Sequence, residues 1–264
     1  MPHRVDLGLV RLAQEFVDLL RGARDVQEVE ALIEAASRML GFRHYAMIDH
    51  DDHRTLGPGR VFMQNYPASY SEAYVAGRFH RIDPVVQACH LIGCSFAWTD
   101  IAGFFTLTSR HRDFLERGER EGVGHGITVP AHVFGERSGS CNFSGPVDPE
   151  RVRSLLWIVQ SIGAFGYQAA RRIGGVEGGG GPRAVKTVHL SARERECVVL
   201  GGQGRSTKEI ARAAGLSPAT VKTYLASIYR KYGVENKTQA AIAAALDGEI
   251  GVHEVWPPQW DRER

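Results

Sequence analysis

Apolar residues in the first two thirds of the chain recur at two periods, one of a helix and one of a strand. Spacings of three and four predict amphipathic helices over 7–20 and 26–40, and Gly41 then ends the second helix. Alternation of apolar and polar residues predicts strands over 42–49 and 61–66. The same patterns, with turn signals between them, predict the remaining elements: helices over 69–79, from Asp83-Pro84 onward and over 108–122, strands over 127–134 and 140–144, and a long helix over 148–173.

The order of these elements predicts the fold class of the first domain. Helices, strands, helices and a closing helix are typical of an α+β fold in which an antiparallel sheet is covered on both faces. We therefore predict an α/β/α sandwich over residues 1–173. The next stretch reads GGVEGGGGPR, and its four consecutive glycines cannot hold regular structure. We predict a flexible linker over 174–185.

A second set of helices follows the glycine-rich stretch, and each helix begins at a polar residue. A polar cap followed three residues later by Glu or Gln satisfies the free backbone N–H groups at a helix start. Three such pairs are present, and a Ser-Pro pair starts one more helix: Ser191 with Glu194, Ser206 with Glu209, Asn236 with Gln239, and Ser217 with Pro218. These starts predict an all-α four-helix domain over 186–250, followed by a tail over 251–264.

The third of these helices has an apolar stripe and an opposite face of small and hydrogen-bonding residues. The stripe consists of Val221, Leu225, Ile228 and Tyr232, and the opposite face of Lys222, Thr223, Ala226, Ser227 and Arg230. Gly215 lies in a short turn before this helix, where a tight bend needs a positive φ. The pattern predicts a helix-turn-helix whose third helix enters the major groove of DNA.

Charge is distributed unevenly between the two predicted domains. Residues 186–250 contain ten Lys or Arg and six Asp or Glu, a net charge of +4, whereas the whole chain carries only +2. The remainder of the chain is therefore −2. A basic domain beside a mildly acidic one fits neutralisation of DNA phosphates at one end of the chain only. The alternative is a helical bundle with ordinary, solvated surface charge.

A pattern of single residues runs through the whole helical domain. It consists of Leu190-Ser191-x-Arg193-Glu194-x-Glu196, Gly204, Lys208-Glu209-Ile210-Ala211, Leu216-Ser217-x-x-Thr220-Val221-Lys222 and Lys231-Tyr232-Gly233-Val234. This pattern resembles the DNA-binding domain of LuxR-type transcription regulators, a four-helix module shared by phosphorylated response regulators and quorum-sensing receptors. We predict DNA contacts at the following residues: Arg205, Ser217, Thr220, Lys222, Thr223, Tyr224, Ala226, Arg230 and Lys237.

The response-regulator hypothesis requires a receiver domain, and the first domain fits that fold poorly. A receiver alternates strand and helix, with an acidic pair after its first strand and a phosphorylated Asp after its third. The acidic pair could be supplied by Asp49, Asp51 and Asp52 at the end of the first predicted strand. However, no later predicted strand ends in an isolated Asp. A receiver is therefore the less favoured hypothesis.

A second group of residues favours the quorum-sensing class. Tyr66-Pro67, Tyr74, Asp83-Pro84, Trp98 and the run GITVP at 126–130 resemble the signal-binding segment of LuxR-type receptors. The resemblance implies a buried N-acyl homoserine lactone, with Asp83 accepting its amide N–H, Tyr74 donating to the acyl carbonyl and Trp98 lying against the lactone ring. It also implies that further residues line the pocket, with a polar contact from the last of them: Tyr66, Tyr70, Val85, Phe114, Val123 and Asn142.

The chemistry of these side chains suits such a pocket. An ionised carboxylate only accepts hydrogen bonds, so a buried Asp83 needs donors, and a phenol donates from an otherwise apolar ring. In the alternative interpretation, Asp83 is only a helix cap and the aromatic residues are ordinary core. The sequence departs from the family at Tyr70, where Trp is usual, and at Ser95, where Pro is usual. These departures leave the head group of the ligand open.

Length and composition set the outer bounds of the interpretation. A chain of 264 residues with 43% hydrophobic content suits two compact domains with real cores. No apolar run approaches the roughly 20 residues that span a bilayer, and the N-terminus lacks the pattern of a secretion signal. We therefore expect a cytoplasmic protein. The resemblance to LuxR-type regulators implies a homodimer that needs no cofactor and binds a palindromic operator.

Two other classes of protein are compatible with parts of the sequence. An enzyme would use His80, Cys89, His90 and Cys94 as a metal or nucleophile site, but their spacing matches no tetrahedral zinc pattern. Four scattered cysteines instead fit free thiols in a reducing compartment. A dimeric regulator that binds DNA without any ligand would have the same architecture, with the first domain kept only as a scaffold.

Overall fold

The computed structural model of the chain describes residues 7–50, 60–133, 137–174 and 188–256. It divides into two compact units, Met1–Arg183 and Ala184–Arg264. Three sequence predictions lie wholly or largely outside the described residues: the turn that follows the first strand, the linker over 174–185 apart from Gly174, and the end of the tail from residue 257 onward.

The first unit is built around one antiparallel sheet, which confirms the predicted α+β class. The strands are β1 (His44–Asp49), β2 (Phe62–Gln64), β3 (Phe96–Ala97), β4 (His125–Ala131) and β5 (Gly139–Gly145). They lie in the order β2-β1-β5-β4-β3, and each strand pairs antiparallel with its neighbour. The short strand β3 was not expected from the sequence.

One face of the sheet is covered by three helices, α1 (Leu7–Gly22), α2 (Val26–Leu40) and α7 (Leu156–Gly174). Helices α2 and α7 contact the strands, and α1 packs against these two helices. Helix α2 begins and ends as predicted, because the Asp25 carboxylate accepts from the N–H of Glu28 at 2.8 Å and Gly41 adopts a φ of +89°. The largest fully buried side chains between the sheet and these helices include Leu20, Ile33, Leu40, Met47, Ile127, Phe143, Ile158 and Ile162.

The other face of the sheet is covered by a looser layer of short helices. It contains α3 (Ala68–Ala76), α4 (Pro84–Cys89) and α5 (Ser109–Arg120), with 3-10 turns at Phe79–Arg81 and Trp98–Gly103. The capping box of Thr108 and His111 starts α5. Both faces of the sheet are therefore covered, as the sequence predicted.

The predicted helix over 148–173 is wrong in one respect, because it is two helices. Asp148 caps α6 (Pro149–Ser154) through a hydrogen bond from the N–H of Glu150, and Leu155 then leaves the helix before α7 begins. The apolar spacing continues across Leu155, whose side chain is buried in the core. Periodicity alone therefore did not reveal the break.

The residues of β5 alternate between the two faces of the sheet. Cys141 and Phe143 join the core beneath α7, whereas Ser140 and Asn142 face the looser layer. A strand buried on both faces usually has apolar residues throughout. In β5 the polar residues Ser140 and Asn142 instead line a cavity.

The second unit is a helical bundle with every predicted start in place. Its helices are α8 (Ala192–Gly202), α9 (Thr207–Ala214), α10 (Pro218–Tyr232), α11 (Lys237–Leu246) and the short α12 (Val252–Val255) within the predicted tail. Ser191, Ser206, Ser217 and Asn236 each accept a hydrogen bond from the third residue of their helix. Gly215, at a φ of +65°, turns the chain between α9 and α10, which completes the helix-turn-helix.

One residue of α10 was assigned to the wrong face. Ser227 was predicted on the outward face, but its hydroxyl donates to the buried Glu194 carboxylate at 2.8 Å. Lys231 donates to the same carboxylate at 2.7 Å. A helical spacing locates Ser227 at the border of the apolar stripe, and only the partner on α8 turns it inward.

Candidate functional site

A cavity of about 280 Å³ lies between the sheet and the layer formed by α3, α4 and α5. Its wall is mostly apolar, with a few polar side chains. Eight of the nine residues predicted for a ligand pocket line it: Tyr66, Tyr70, Tyr74, Asp83, Val85, Trp98, Phe114 and Asn142. The fold thus brings together residues that are up to 76 positions apart in the sequence.

Val123 is the predicted pocket residue that does not line the cavity. Its side chain is buried, and its N–H donates to the carbonyl oxygen of Gly118 at 2.9 Å. Gly118 itself lines the cavity. Val123 therefore packs against Gly118, behind the cavity wall.

Asp83 is both a helix cap and part of the cavity wall. One carboxylate oxygen accepts from the N–H of Val85 at 2.8 Å, which caps α4. The other accepts from the hydroxyl of Tyr74 at 2.9 Å. The sequence left open whether Asp83 is a helix cap or a pocket residue, and its position in the structure is compatible with both.

Burial raises the pKa of Asp83 to about 6, against the lowering effect of hydrogen bonds from Tyr74, Val85 and Val86. The carboxyl therefore titrates at a higher pH than an ordinary aspartate. A ligand that donates an N–H to this carboxylate favours its ionised form.

Aromatic rings form the wall around Asp83. Tyr70 lies between two neighbours, with ring centroids 5.5 Å from Tyr66 and 6.3 Å from Tyr74. Phe114 meets Tyr74 nearly edge to face at 6.0 Å. Burial raises the pKa of Tyr66, Tyr70 and Tyr74 above the ordinary value, so all three phenols are neutral and able to donate.

The hydroxyl of Tyr74 already has an acceptor. A phenol has one hydrogen to donate, and here that hydrogen goes to Asp83. The predicted donation from Tyr74 to an acyl carbonyl therefore requires this hydroxyl to rotate away from the carboxylate. An incoming N–H would replace it there.

A chain of hydrogen bonds crosses the cavity face of the sheet. The Trp98 indole N–H donates to Thr128 Oγ1 at 2.8 Å, and the Thr128 hydroxyl donates to Asn142 Oδ1 at 2.7 Å. Asn142 Nδ2 donates to the Ala46 carbonyl at 3.1 Å and to Ser140 Oγ at 3.0 Å. Thr128 and Ser140 were not among the predicted site residues. The polar residues at alternate positions of β5, Ser140, Asn142 and Ser144, were the sequence signal that could have indicated this polar row.

Most of the predicted DNA-binding residues lie on α10, with Ser217 as its N-cap, Arg205 before α9 and Lys237 at the start of α11. Lys222, Thr223, Ala226 and Arg230 are exposed on α10, and Arg205 and Ser217 are exposed before α9 and α10. Thr220, Tyr224 and Lys237 are only partly exposed. The Lys237 ammonium donates to the carbonyl of Arg205 at 2.5 Å, which brings these two predicted contacts together.

Comparison with known proteins agrees with both parts of this geometry. Residues 25–172 match the family described as Autoinducer binding domain, and residues 188–244 match the family described as Bacterial regulatory proteins, luxR family. The chain belongs to the LuxR-type regulators with an autoinducer-binding domain. It is a transcription regulator of the quorum-sensing class and not an enzyme.

Relatives of this LuxR-type chain match over most of its length. Transcriptional activator protein BjaR1 of Bradyrhizobium diazoefficiens is 25% identical over 249 residues, which cover 93% of this chain and 98% of the relative. Transcriptional activator protein AnoR of Acinetobacter nosocomialis is 22% identical and covers 85% and 93%. A crystal structure of Escherichia coli SdiA shares the fold, with a TM-score of 0.52 at 21% identity over 90% of this chain and 98% of that one.

Within the described ranges, no three or more His, Cys, Asp or Glu side chains are arranged to hold a metal ion. Cys89, Cys141 and Cys197 are buried free thiols, and Cys94 is an exposed one. No helix in the part of the chain that the structure describes is long and apolar enough to cross a membrane.

Proposed function

We propose that this regulator binds an N-acyl homoserine lactone in the cavity of its first domain and promoter DNA, as a homodimer, through α10. The observation that carries the proposal is the buried Asp83 carboxylate, which lies at the cavity wall between Tyr74 and the start of α4. The signal-binding domain is 1–173 and the DNA-binding domain 186–250.

An acyl lactone matches the cavity group by group. Its amide N–H donates to Asp83, its acyl carbonyl accepts from Tyr74, and its ring lies against Trp98. The remaining predicted residues contact the ring or tail: Tyr66, Tyr70, Val85, Phe114 and Asn142. Apolar walls with a few directional polar groups are typical of a site that binds a small amphipathic molecule.

The head group is the less constrained part of the ligand. Tyr70 stands where the family usually has Trp, and a phenol reaches less far than an indole. A related acyl signal without a lactone is therefore the second candidate ligand. SdiA, which shares the fold, has been solved in complex with octanoyl-rac-glycerol.

The DNA-binding half of the proposal follows from α10. Its outward side chains can reach base edges, and a +4 domain neutralises phosphates. A homodimer would present two such helices related by a two-fold axis. The operator is then a palindrome with half-sites about one helical turn apart. Binding to chromosomal DNA locates the protein in the cytoplasm.

The competing proposal is a regulator of the same architecture that binds DNA without a ligand. Expression in cells supplied with N-acyl homoserine lactones of several chain lengths separates the two. The purified protein is extracted with organic solvent, and the extract is identified by mass spectrometry. We expect one acyl compound near one per chain from the wild type.

Two variants make the extraction decisive. Asp83→Asn should retain much less of the compound, whereas Asp18→Asn, which changes an exposed carboxylate on α1, should retain it fully. Recovery of no acyl compound from a wild-type protein that still binds DNA would favour the ligand-independent regulator.

A further inference from the structure

The Trp98 indole contacts two residues of β4, Gly126 and Thr128. Its N–H donates to Thr128 Oγ1 at 2.8 Å. Its benzene ring lies directly over Gly126, where an added Cβ would be 2.7 Å from Cε2 and 2.8 Å from Cζ2 of the ring. Any side chain at position 126 would therefore displace the indole. Gly126 and Thr128 share one face of the strand, two residues apart.

Thr128 differs from the residues that contact the cavity. Its side chain is fully buried, and it is not part of the cavity lining, whereas Trp98 is. Thr128 therefore has no direct contact to offer a ligand. Its hydroxyl can act on the cavity only through the groups it bonds.

In the series of hydrogen bonds from Trp98 to Ala46, each bond fixes the donor and acceptor of the neighbouring bond. Asn142 donates its Nδ2 to the Ala46 carbonyl, which turns its Oδ1 toward Thr128. The Thr128 hydroxyl uses its one hydrogen on that Oδ1 and keeps a lone pair for the indole N–H. The three residues are direct cross-strand partners, with Ala46 opposite Asn142 and Asn142 opposite Thr128. The sheet register thus aims an acceptor at Trp98.

We infer that Thr128 is a positioning residue that fixes the plane of the Trp98 indole and thereby selects ligands whose head group carries a ring. The inference rests on the proposed function, in which that ring lies against Trp98. An indole held at its N–H and supported by Gly126 presents a flat surface of fixed orientation. A loose indole would still be apolar but would lose this orientation.

The test compares two ligands with the same tail and different head groups. The probes are N-octanoyl homoserine lactone and octanoyl-rac-glycerol, titrated by calorimetry into the full chain. Thr128→Val removes the acceptor of the indole, and Thr128→Ser keeps it. We expect Thr128→Val to weaken the lactone about fivefold or more and the glycerol ester less than about twofold, with Thr128→Ser close to the wild type.

A double-mutant cycle shows whether Thr128 acts through the indole. In a Trp98→Phe background the N–H is absent, so Thr128→Val should weaken lactone binding by less than about twofold further. Full additivity of the two changes, or an equal loss for both probes, would overturn the inference.

Fluorescence anisotropy of Trp98 tests the positioning role without any ligand. It is needed if the wild type binds neither probe, a result that would contradict the proposed function but not the positioning role. Trp98 becomes the single tryptophan after Trp157→Phe, Trp256→Phe and Trp260→Phe. Thr128→Val should then lower the fluorescence anisotropy of Trp98, and Thr128→Ser should restore it. Unchanged anisotropy in Thr128→Val would overturn the positioning role even if lactone binds.

Discussion

Asp83 has both a local structural role, as the cap of α4, and a proposed role in ligand recognition. Its carboxylate caps α4, accepts from Tyr74 and lies buried in the wall of a mostly apolar cavity. A buried carboxylate is costly unless donors surround it. An N–H from a ligand supplies one further donor, so the charge and the ligand stabilise each other.

The first prediction concerns the pH dependence of binding. The pKa of Asp83 is raised from its ordinary 3.8 to about 6, so the folded protein holds a proton between these values that the unfolded chain has lost. The contribution of Asp83 to the free energy of unfolding therefore falls as pH rises through this window. A ligand that donates to the carboxylate binds the ionised form, so its affinity should fall by up to about tenfold per pH unit below 6.

Calorimetry of lactone binding between pH 5 and pH 8 checks this prediction. Asp83→Asn cannot titrate, so its weaker affinity should be independent of pH across the same range. A wild-type affinity that stays constant over the range would show that the ligand does not engage the ionised carboxylate.

The second prediction concerns Tyr70, which lines the cavity through its buried phenol. Tyr70→Phe removes only a hydroxyl, so we expect binding of a lactone to weaken by about 0.5–1.5 kcal/mol with little change in the melting temperature. Tyr45→Phe is the matched control, since its hydroxyl bonds Glu30 outside the cavity. Equal affinity of Tyr70→Phe and the wild type would leave Tyr70 as packing.

At the scale of elements, the starts of helices were the most predictable feature. The capping residues Asp83, Ser191, Ser206 and Ser217 act within three residues of themselves, so the sequence contains the whole interaction. The pocket residues were found differently, by resemblance to a family. Aromatic spacing alone does not distinguish a pocket from a core.

Features that depend on distant partners were not predictable. The strand β3 has two residues, too few for any period, and forms because Phe96 and Ala97 pair with β4. Thr128 acquires its role from Asn142 and Trp98, which lie on other elements. Ser227 turns inward only because Glu194 on α8 is there to accept.

The third prediction concerns Glu194, which joins α8 to α10. Burial raises the pKa of its carboxyl, but hydrogen bonds from Lys231, Ser191 and Ser227 outweigh this and lower the pKa to about 2. The resulting stability is fully present above the ordinary 4.5 and is lost as pH falls through 2. Glu194→Gln should remove about 2–3 kcal/mol of local stability at neutral pH.

Hydrogen exchange of the amides of α8 and α10 in the full chain measures this local stability. Glu196→Gln is the control on the same helix, because Glu196 pairs with Arg193 at 2.7 Å on the surface. Such exposed pairs contribute less than about 1 kcal/mol. Equal protection in Glu194→Gln and Glu196→Gln would contradict the role given to the buried carboxylate.

At the scale of the whole molecule, the two domains divide recognition between a small molecule and DNA. The fourth prediction separates base contacts from phosphate contacts on α10. Lys222 lies near the start of the helix and Arg230 two turns later, and both are exposed. Lys222→Ala should reduce discrimination between the operator and a one-base variant by about 1–3 kcal/mol. Arg230→Ala should instead weaken binding to all sequences alike.

Competition binding at several salt concentrations distinguishes the two variants. Loss of a phosphate contact at Arg230 should make the slope of log affinity against log salt shallower by about one unit, or about two for a dimer. Lys222→Ala should leave the slope nearly unchanged. Equal losses on every sequence for Lys222→Ala would mean that this side chain contacts phosphate and that sequence is read elsewhere.

The proposal as a whole depends most on the bond between Asp83 and the amide of an acyl signal. Titration of N-acyl homoserine lactones of increasing chain length into the wild type and Asp83→Asn tests it directly. The wild type should bind at least one lactone, and Asp83→Asn, which keeps the helix cap, should bind it about 1.5–3 kcal/mol more weakly at an unchanged melting temperature. Equal affinity in the two proteins would contradict the central role of Asp83.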